Sequence, residues 1–338
     1  MSSSPKIKVV RLVHVHYQHP QLDKAVEFLK DFGLHEVKRV GSRVYLAGFG
    51  PDPYIYIAEQ APGPRRAFLG GTWAVESEKD FQAAAAHPDA SKMEEDSGPG
   101  GGKIVSITDP NGYRIGFIYG QNLRSDPAVD ETDRIVGDES PVVNLANDKP
   151  RQGSFRRFNA GPSPVHKLGH YGYIVPQSVF QKTLDWYTSL INVVPTDAVF
   201  DPKTGDDATC FMHIDLGATF TDHHPAFVHH SSFEVNDMDT QALGHKWLSE
   251  KGYTNCWGIG RHVLGSQVFD YWFDTSGNIL EHYSDGDMVN KDTPYTRSPE
   301  APDSLYIWGP NIPLGFVTGN PEDAKKEAGP PQSEPVAA

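Results

Sequence analysis

Between positions 260 and 281 the chain carries a His, a Tyr and a Glu in order: Gly260-Arg261-His262, then Tyr271-Trp272-Phe273-Asp274-Thr275-Ser276-Gly277-Asn278-Ile279-Leu280-Glu281. The Asp-Thr-Ser-Gly-Asn run reads as a turn between two apolar strands, since these residues supply the local hydrogen bonds and backbone freedom of a tight reversal. Alternation along the second strand turns Leu280 and His282 to one face, and Ile279, Glu281 and Tyr283 to the other. A carboxylate buried in a sheet is costly unless it is paired or bound to a metal. Two upstream segments carry imidazoles that can meet it: Lys167-Leu168-Gly169-His170-Tyr171-Gly172-Tyr173 and Val228-His229-His230-Ser231-Ser232-Phe233-Glu234-Val235. Two imidazoles and one carboxylate, leaving open positions on a divalent ion, form the ligand set of a non-haem Fe(II) oxygenase.

The elements that must position these groups occur twice. Lys8-Val9-Val10-Arg11-Leu12-Val13-His14-Val15-His16-Tyr17 opens the first half much as Val165-His166-Lys167-Leu168-Gly169-His170-Tyr171 opens the second. Each opening strand is followed by an amphipathic helix. The first is predicted at about residues 22–32, with Ala25, Phe28, Leu29 and Phe32 on one face. The second is predicted at about 178–191, with Phe180, Leu184, Tyr187, Leu190 and Ile191 on one face. Each half ends in a turn and a strand, Asp109-Pro110-Asn111-Gly112-Tyr113-Arg114-Ile115-Gly116 and the 274–281 run above. Alternating strands with one helix, repeated, predict an α+β fold of duplicated modules, each built on a curved sheet.

On these residues the chain resembles the type I extradiol ring-cleaving dioxygenases of the vicinal oxygen chelate (glyoxalase/bleomycin resistance) superfamily, over most of residues 6–290. The resemblance implies tandem modules of paired βαβββ units forming curved, barrel-like mixed sheets. It carries the first metal ligand, from an L-x-H strand opening, onto His170. The latter His of an H-H-x-x-F segment gives the second, His230. The Glu ending a G-x-H … Y-x-x-D/E-P-x-G … E signature gives the third, Glu281. Thr275 stands where that signature usually has Pro, and Asp270 where an aliphatic residue usually precedes the Tyr. The resemblance also implies substrate-contacting roles for His262 and Tyr271, whose imidazole and phenol can hydrogen-bond a catecholate oxygen. An acid/base His is implied on the strand paired with that of the second ligand, where Asp222-His223-His224 lies. His224 fits best by motif, but only five residues separate it from His230, and His223 or His213 are the alternatives. Fe(II) is the implied cofactor, with Mn(II) possible on the same ligands and O2 as co-substrate.

Placing the halves on each other by these landmarks sets His14 opposite His170, Gly71 opposite His230 and Gly116 opposite Glu281. The first half then keeps one potential ligand of three and is expected to be scaffold, lid or assembly surface. His14 is expected in the core, hydrogen-bonded as buried polar groups are. His229 and His282 each adjoin a ligand and are expected to face away from it.

The expected organisation is a first module at 6–122 without a complete metal site, a connector at 123–164, a catalytic module at 165–300, a packing segment at 301–317 and a disordered tail at 318–338. The connector is rich in Asp, Asn, Pro, Gly and Arg, and the tail has too few apolar groups to offset its ordering. Lys+Arg number 30 and Asp+Glu 44, for a formal charge of −14. That balance argues against nucleic acid or an anionic membrane as a partner. With two cysteines, Cys210 and Cys256, there is no disulfide framework. No apolar leader or spanning segment is visible. A cytoplasmic homo-oligomer acting on a catechol-type aromatic small molecule is expected. Two alternatives stand beside it: a glyoxalase-like isomerase using another metal, and a non-catalytic protein that sequesters an aromatic ligand.

Overall fold

The computed structural model describes residues 5–125, 135–137, 146–149, 156–219, 221–222, 224–227, 229–301 and 303–326. The first half runs β1 (Val9–His19), α1 (Leu22–Asp31), β2 (His35–Val40), β3 (Arg43–Ala47) and β4 (Tyr56–Gln60). A second run of the same kind follows: β5 (Ala67–Val75), α2 (Glu78–Ala85), the short β6 (Glu94–Glu95), β7 (Lys103–Thr108) and β8 (Arg114–Tyr119). These strands form one sheet in the order β2-β3-β4-β1-β5-β8-β7-β6. A small ribbon pairs β9 (Ile135–Gly137) with β10 (Arg156–Phe158).

The second half repeats the plan: β11 (Val165–Gly172), α3 (Gln177–Leu190), β12 (Val193–Phe200), β13 (Asp207–Ile214), β14 (Thr221–Asp222) and β15 (His224–Phe227). Then come β16 (His230–Val235), α4 (Met238–Glu250), β17 (Thr254–Arg261), β18 (Val268–Phe273), β19 (Ile279–Ser284), β20 (Met288–Val289), β21 (Thr296–Pro299) and α5 (Leu314–Thr318). Its main sheet is ordered β17-β18-β19-β16-β11-β15-β13-β12-β21, and β14 pairs with β20. In both halves the opening strands of the two βαβββ runs lie antiparallel at the centre, β1 on β5 and β11 on β16. The fold is α+β, of the vicinal oxygen chelate type.

The helices form where apolar residues recur at helical spacing. α1 buries Leu22, Ala25, Val26, Phe28 and Leu29 and stops one residue before Phe32, which is itself buried at the C-cap. α4 is capped by Asp237, whose side chain accepts from the Thr240 N–H. One apolar core is shared by both halves and includes Phe28, Phe32, Phe117, Phe180, Phe233 and Trp272. Each such ring, fully buried, contributes about 1.5–3 kcal/mol. Polar ties cross the same interface. Tyr17 Oη lies 2.6 Å from Ser231 Oγ, Trp73 Nε1 donates to Tyr171 Oη at 3.2 Å, and Asp31 accepts from Trp247 Nε1 and Tyr253 Oη, both at 2.9 Å. The second sheet is therefore held rigid from behind by the first half.

The C-terminal part departs from expectation. Chain order continues past 318: Asn320 caps a 3-10 turn at Pro321–Asp323, and Leu314 N–H donates to Lys326 O at 2.7 Å. Phe316 and Ala324 supply the apolar contact that holds this segment against Trp257 and Tyr271. Residues 327–338 of the expected tail, and 126–134, 138–145 and 150–155 of the expected connector, lie outside the described residues. Among the described residues no helix is long and apolar enough to cross a membrane.

Candidate metal centre

The register of the second sheet puts one residue from each of four adjacent strands in a row. His170 on β11 faces Ser232 on β16, Ser232 faces Glu281 on β19, and Glu281 faces Tyr271 on β18. His230 lies two residues before Ser232 and so shares its face. Ser232 is small and buried, and the His170, His230 and Glu281 side chains meet over it. The three donor atoms form a triangle: His170 Nε2 to His230 Nε2 3.2 Å, His170 Nε2 to Glu281 Oε2 3.2 Å, and His230 Nε2 to Glu281 Oε2 3.5 Å. Donors bound to one ion at about 2.1 Å and at right angles would stand about 3 Å apart, so the triangle has the dimensions of one face of an octahedral site.

The chemistry of the donors agrees. Glu281 is 0% exposed, and its oxygens take no well-formed hydrogen bond among the described residues. Burial alone would push its carboxyl up, but the imidazoles of His170 and His262 beside it, with the charge of His230, hold it well below the ordinary range. Burial drives His230 the other way, well below the usual imidazole value, with Glu281 only partly opposing. The group is thus one anionic carboxylate with imidazole lone pairs aimed at a common point, which a divalent cation fits. Among the described residues it is the one cluster of this kind.

His262 and Tyr271 complete one side. The Leu305 carbonyl accepts from His262 Nδ1 at 2.7 Å, and His262 Nε2 lies 2.9 Å from the Tyr271 hydroxyl. Burial, and then the charge of Glu281, push the Tyr271 phenol well above its usual range, so it remains a donor. These groups open on a cleft of about 340 Å³ whose apolar walls include Ile174, Val175, Phe211, Ile312 and Phe316. The Phe316 ring packs on Tyr271 at 4.9 Å and on Trp257 at 4.8 Å, which brings α5 over the site.

His229 is a correction. It lines the cleft instead of facing away, because β16 begins at His230 and strand alternation does not reach a residue in the preceding turn. Its Nδ1 lies 3.2 Å from His230 Nδ1, and its Nε2 is bonded to the Phe316 carbonyl. Phe316 was visible in the sequence only as part of a short apolar run after Pro313. His282 does face away, stacked on Phe32 at 3.7 Å and donating to its carbonyl at 2.7 Å. Asp270, the unusual residue before Tyr271, is also on that far face, where it accepts from Trp272 Nε1 at 2.7 Å and lies 2.9 Å from His245 Nδ1.

Of the three acid/base candidates, His224 opens β15, with its backbone paired to Met212. The His224 side chain and all of His223 lie outside the described residues. His213 is buried beside Thr196, 2.8 Å from its Oγ1, and lines a separate cavity and not the cleft. In the first half the corresponding row is His14, Thr72 and Gly116. The same register sets Gly70, not Gly71, opposite His230, because Gly70 lies two residues before Thr72 as His230 does before Ser232. Gly71 has another reason to be glycine: a Cβ there would stand 2.3 Å from the Tyr171 ring.

No family model matches the chain. Metapyrocatechase 2 of Cupriavidus necator is 32% identical over 160 residues, or 45% of this chain, and the chain spans about half (47%) of that relative's length. The fold is similar to that of homoprotocatechuate 2,3-dioxygenase from Brevibacterium fuscum, with a TM-score of 0.73 at 16% identity over 93% of each chain. The Arthrobacter globiformis enzyme of the same name gives 0.72 at 17% identity, over 93% of this chain and 92% of that one. A Mn(II)-bound glyoxalase from Novosphingobium aromaticivorans gives 0.70 at 18% identity, over 90% of this chain and 93% of that one.

Proposed function

We propose that this protein is an extradiol dioxygenase that opens a catechol-type aromatic ring next to its vicinal hydroxyls with O2, using a divalent metal held by His170, His230 and Glu281. The observation that carries it is the buried Nε2, Nε2, Oε2 triangle, with sides of 3.2, 3.2 and 3.5 Å, at the end of an apolar cleft. The metapyrocatechase relative and the ring-cleaving dioxygenases of the same fold support it.

Fe(II) is the first candidate and Mn(II) the second; the metal would hold both reactants and let electron density pass from ring to oxygen. The remaining work falls to side chains. Tyr271 and His262 hydrogen-bond a substrate oxygen and hold its charge as the ring opens. The Ile174, Phe211 and Phe316 walls accept the ring and exclude water. His224 takes the proton of a substrate hydroxyl and returns one to the reacting oxygen. Both described cysteines are free and buried, in keeping with a reducing cytoplasm, and light scattering will test the expected homo-oligomer.

The test is anaerobic purification, metal analysis, and a panel of catechols under O2. We expect about one Fe or Mn per chain and a yellow ring-opened product. Bound metal without oxygen uptake on any catechol would move the assignment to an isomerase-like activity, and protein that binds no metal would move it to ligand sequestration.

A further inference from the structure

We infer that an apolar cavity beneath α3 binds a small apolar gas molecule and holds dioxygen next to the metal centre. Its volume is about 60 Å³. A single water needs about 10–15 Å³ and benzene occupies a cavity of about 150 Å³, so this one suits a diatomic and excludes an aromatic ring.

The lining argues against water. Leu12, Trp73, Ile191, Val193, Met212 and Ile214 are among the apolar side chains that line it. Three polar groups among the remainder are engaged elsewhere, while the Tyr173 hydroxyl is buried without a hydrogen-bond partner among the described residues. Thr183 Oγ1 donates to Val179 O at 2.8 Å, Tyr187 Oη donates to Asp109 Oδ2 at 3.1 Å, and His213 Nδ1 lies 2.8 Å from Thr196 Oγ1. Water is held in a buried site by two to four hydrogen bonds, whereas the surface facing this cavity is almost wholly apolar, and O2 dissolves better in hydrocarbon than in water. Unfilled space inside a core lowers stability, so a cavity of this size between two tightly packed halves is a feature that asks for an occupant.

Its position supplies the function. His170, Tyr173 and Phe180 line both this cavity and the cleft above the metal site. They form the partition between the two spaces, and one of them is a proposed ligand. A gas molecule crossing between the Tyr173 and Phe180 rings arrives beside the metal without passing the cleft mouth, which a bound catechol would fill. This supply role rests on the dioxygenase assignment; gas binding itself does not.

Xenon is the probe. Crystals of the metal-loaded protein under xenon pressure should show an anomalous peak in the cavity. Ile214→Phe and, more gently, Cys210→Met, neither of them a proposed ligand nor part of the cleft lining, should displace it. With turnover measured by oxygen uptake, both variants should show a severalfold rise in KM for O2, with kcat at saturating O2 and catechol binding unchanged. Absence of xenon from the cavity would overturn the site. An unchanged KM for O2 in a folded variant that has lost xenon would overturn its role in supply. Both failures are distinguishable from that of the dioxygenase assignment, which fails if the wild-type protein takes up no oxygen, and the supply role would fall with it.

Discussion

Replacing Glu281 by Gln separates a metal ligand from a structural carboxylate, because only a ligand makes stability respond to added metal. Glu281 is fully buried among imidazoles. The carboxyl, held well below its ordinary range by the imidazoles, stabilises the fold as the anion, so the neutral amide costs stability even without metal. With metal at a hundred times its dissociation constant, the native protein gains about 2.7 kcal/mol. At about 2 °C per kcal/mol for a chain of this length, that is a rise of about 5 °C in Tm. A hundredfold weaker site leaves RT ln 2, about 0.4 kcal/mol and under about 1 °C. Anaerobic thermal unfolding with and without Fe(II) or Mn(II), alongside metal counts, therefore separates the two contributions. The metal-free variant melts below the native protein, and only the native protein responds to metal. A variant that retains metal and shows the same rise as the native protein would refute the assignment of Glu281. A native protein whose Tm does not respond to metal would show instead that the carboxylate is there for the fold.

Tyr271→Phe keeps the ring packed on Trp257 and Phe316 but leaves His262 Nε2 without its hydroxyl partner. It should lower kcat by about 10²–10³ and stability by about 1–3 kcal/mol, and unaltered kcat/KM in the steady state would remove Tyr271 from the chemistry. His224→Ala should keep its metal and lose about 10²–10⁴ in turnover; full activity would hand the proton to another group. Glu234 offers a pH test away from the reaction. Burial pushes its carboxyl up, but His166 and Lys167 outweigh this and bring it to about 2, against an ordinary value of 4.5. The stability it adds is thus complete above about pH 4.5 and lost as pH falls toward 2. Since its side chain is 29% exposed and Lys167's 31%, solvent screening reduces the contribution to about 1 kcal/mol. Glu234→Gln should cost that much at pH 7, with the two unfolding curves converging in acid; a constant gap across this range would rule the pairing out.

Much of this was legible before the structure, for reasons particular to certain residues. Glu281 stood out because a strand of Ile, Leu and Tyr has no other use for a carboxylate, and its register across β16 to His170 follows from period-two alternation. The helix at 22–32 was legible from its apolar stripe, and its end was missed by one residue because Phe32 is buried at the cap and so extends the pattern without extending the helix. His229 could not be placed from the sequence, since alternation holds only within a strand and nothing local marks where β16 starts. The ordered stretch to Lys326 was missed for a different reason: its composition is polar, and its order comes from a few contacts, Phe316 and Ala324 on the aromatic cluster, that lie far away in sequence. Long-range packing of this sort leaves no periodic trace.

The first half shows what the site requires by what it lacks. Its row His14, Thr72, Gly116 repeats His170, Ser232, Glu281 strand for strand. Yet a Cβ at Gly116 would meet Thr72 Oγ1 at 2.3 Å, and one at Gly70 would meet the Arg114 carbonyl at 2.1 Å. Restoring the two missing ligands would therefore require the backbone to move, and no single substitution could do it. His14 packs 4.7 Å from the Tyr54 ring, and burial keeps it well below the ordinary imidazole value, hence neutral. Thus the first half fills the corresponding space with close backbone and aromatic packing. The same closeness lets β1 and β5 approach Tyr171 and Ser231 on the strands that carry His170 and His230. The second half instead keeps the side chains of His230 and Glu281 where the first has Gly70 and Gly116, and there they meet that of His170 at one point.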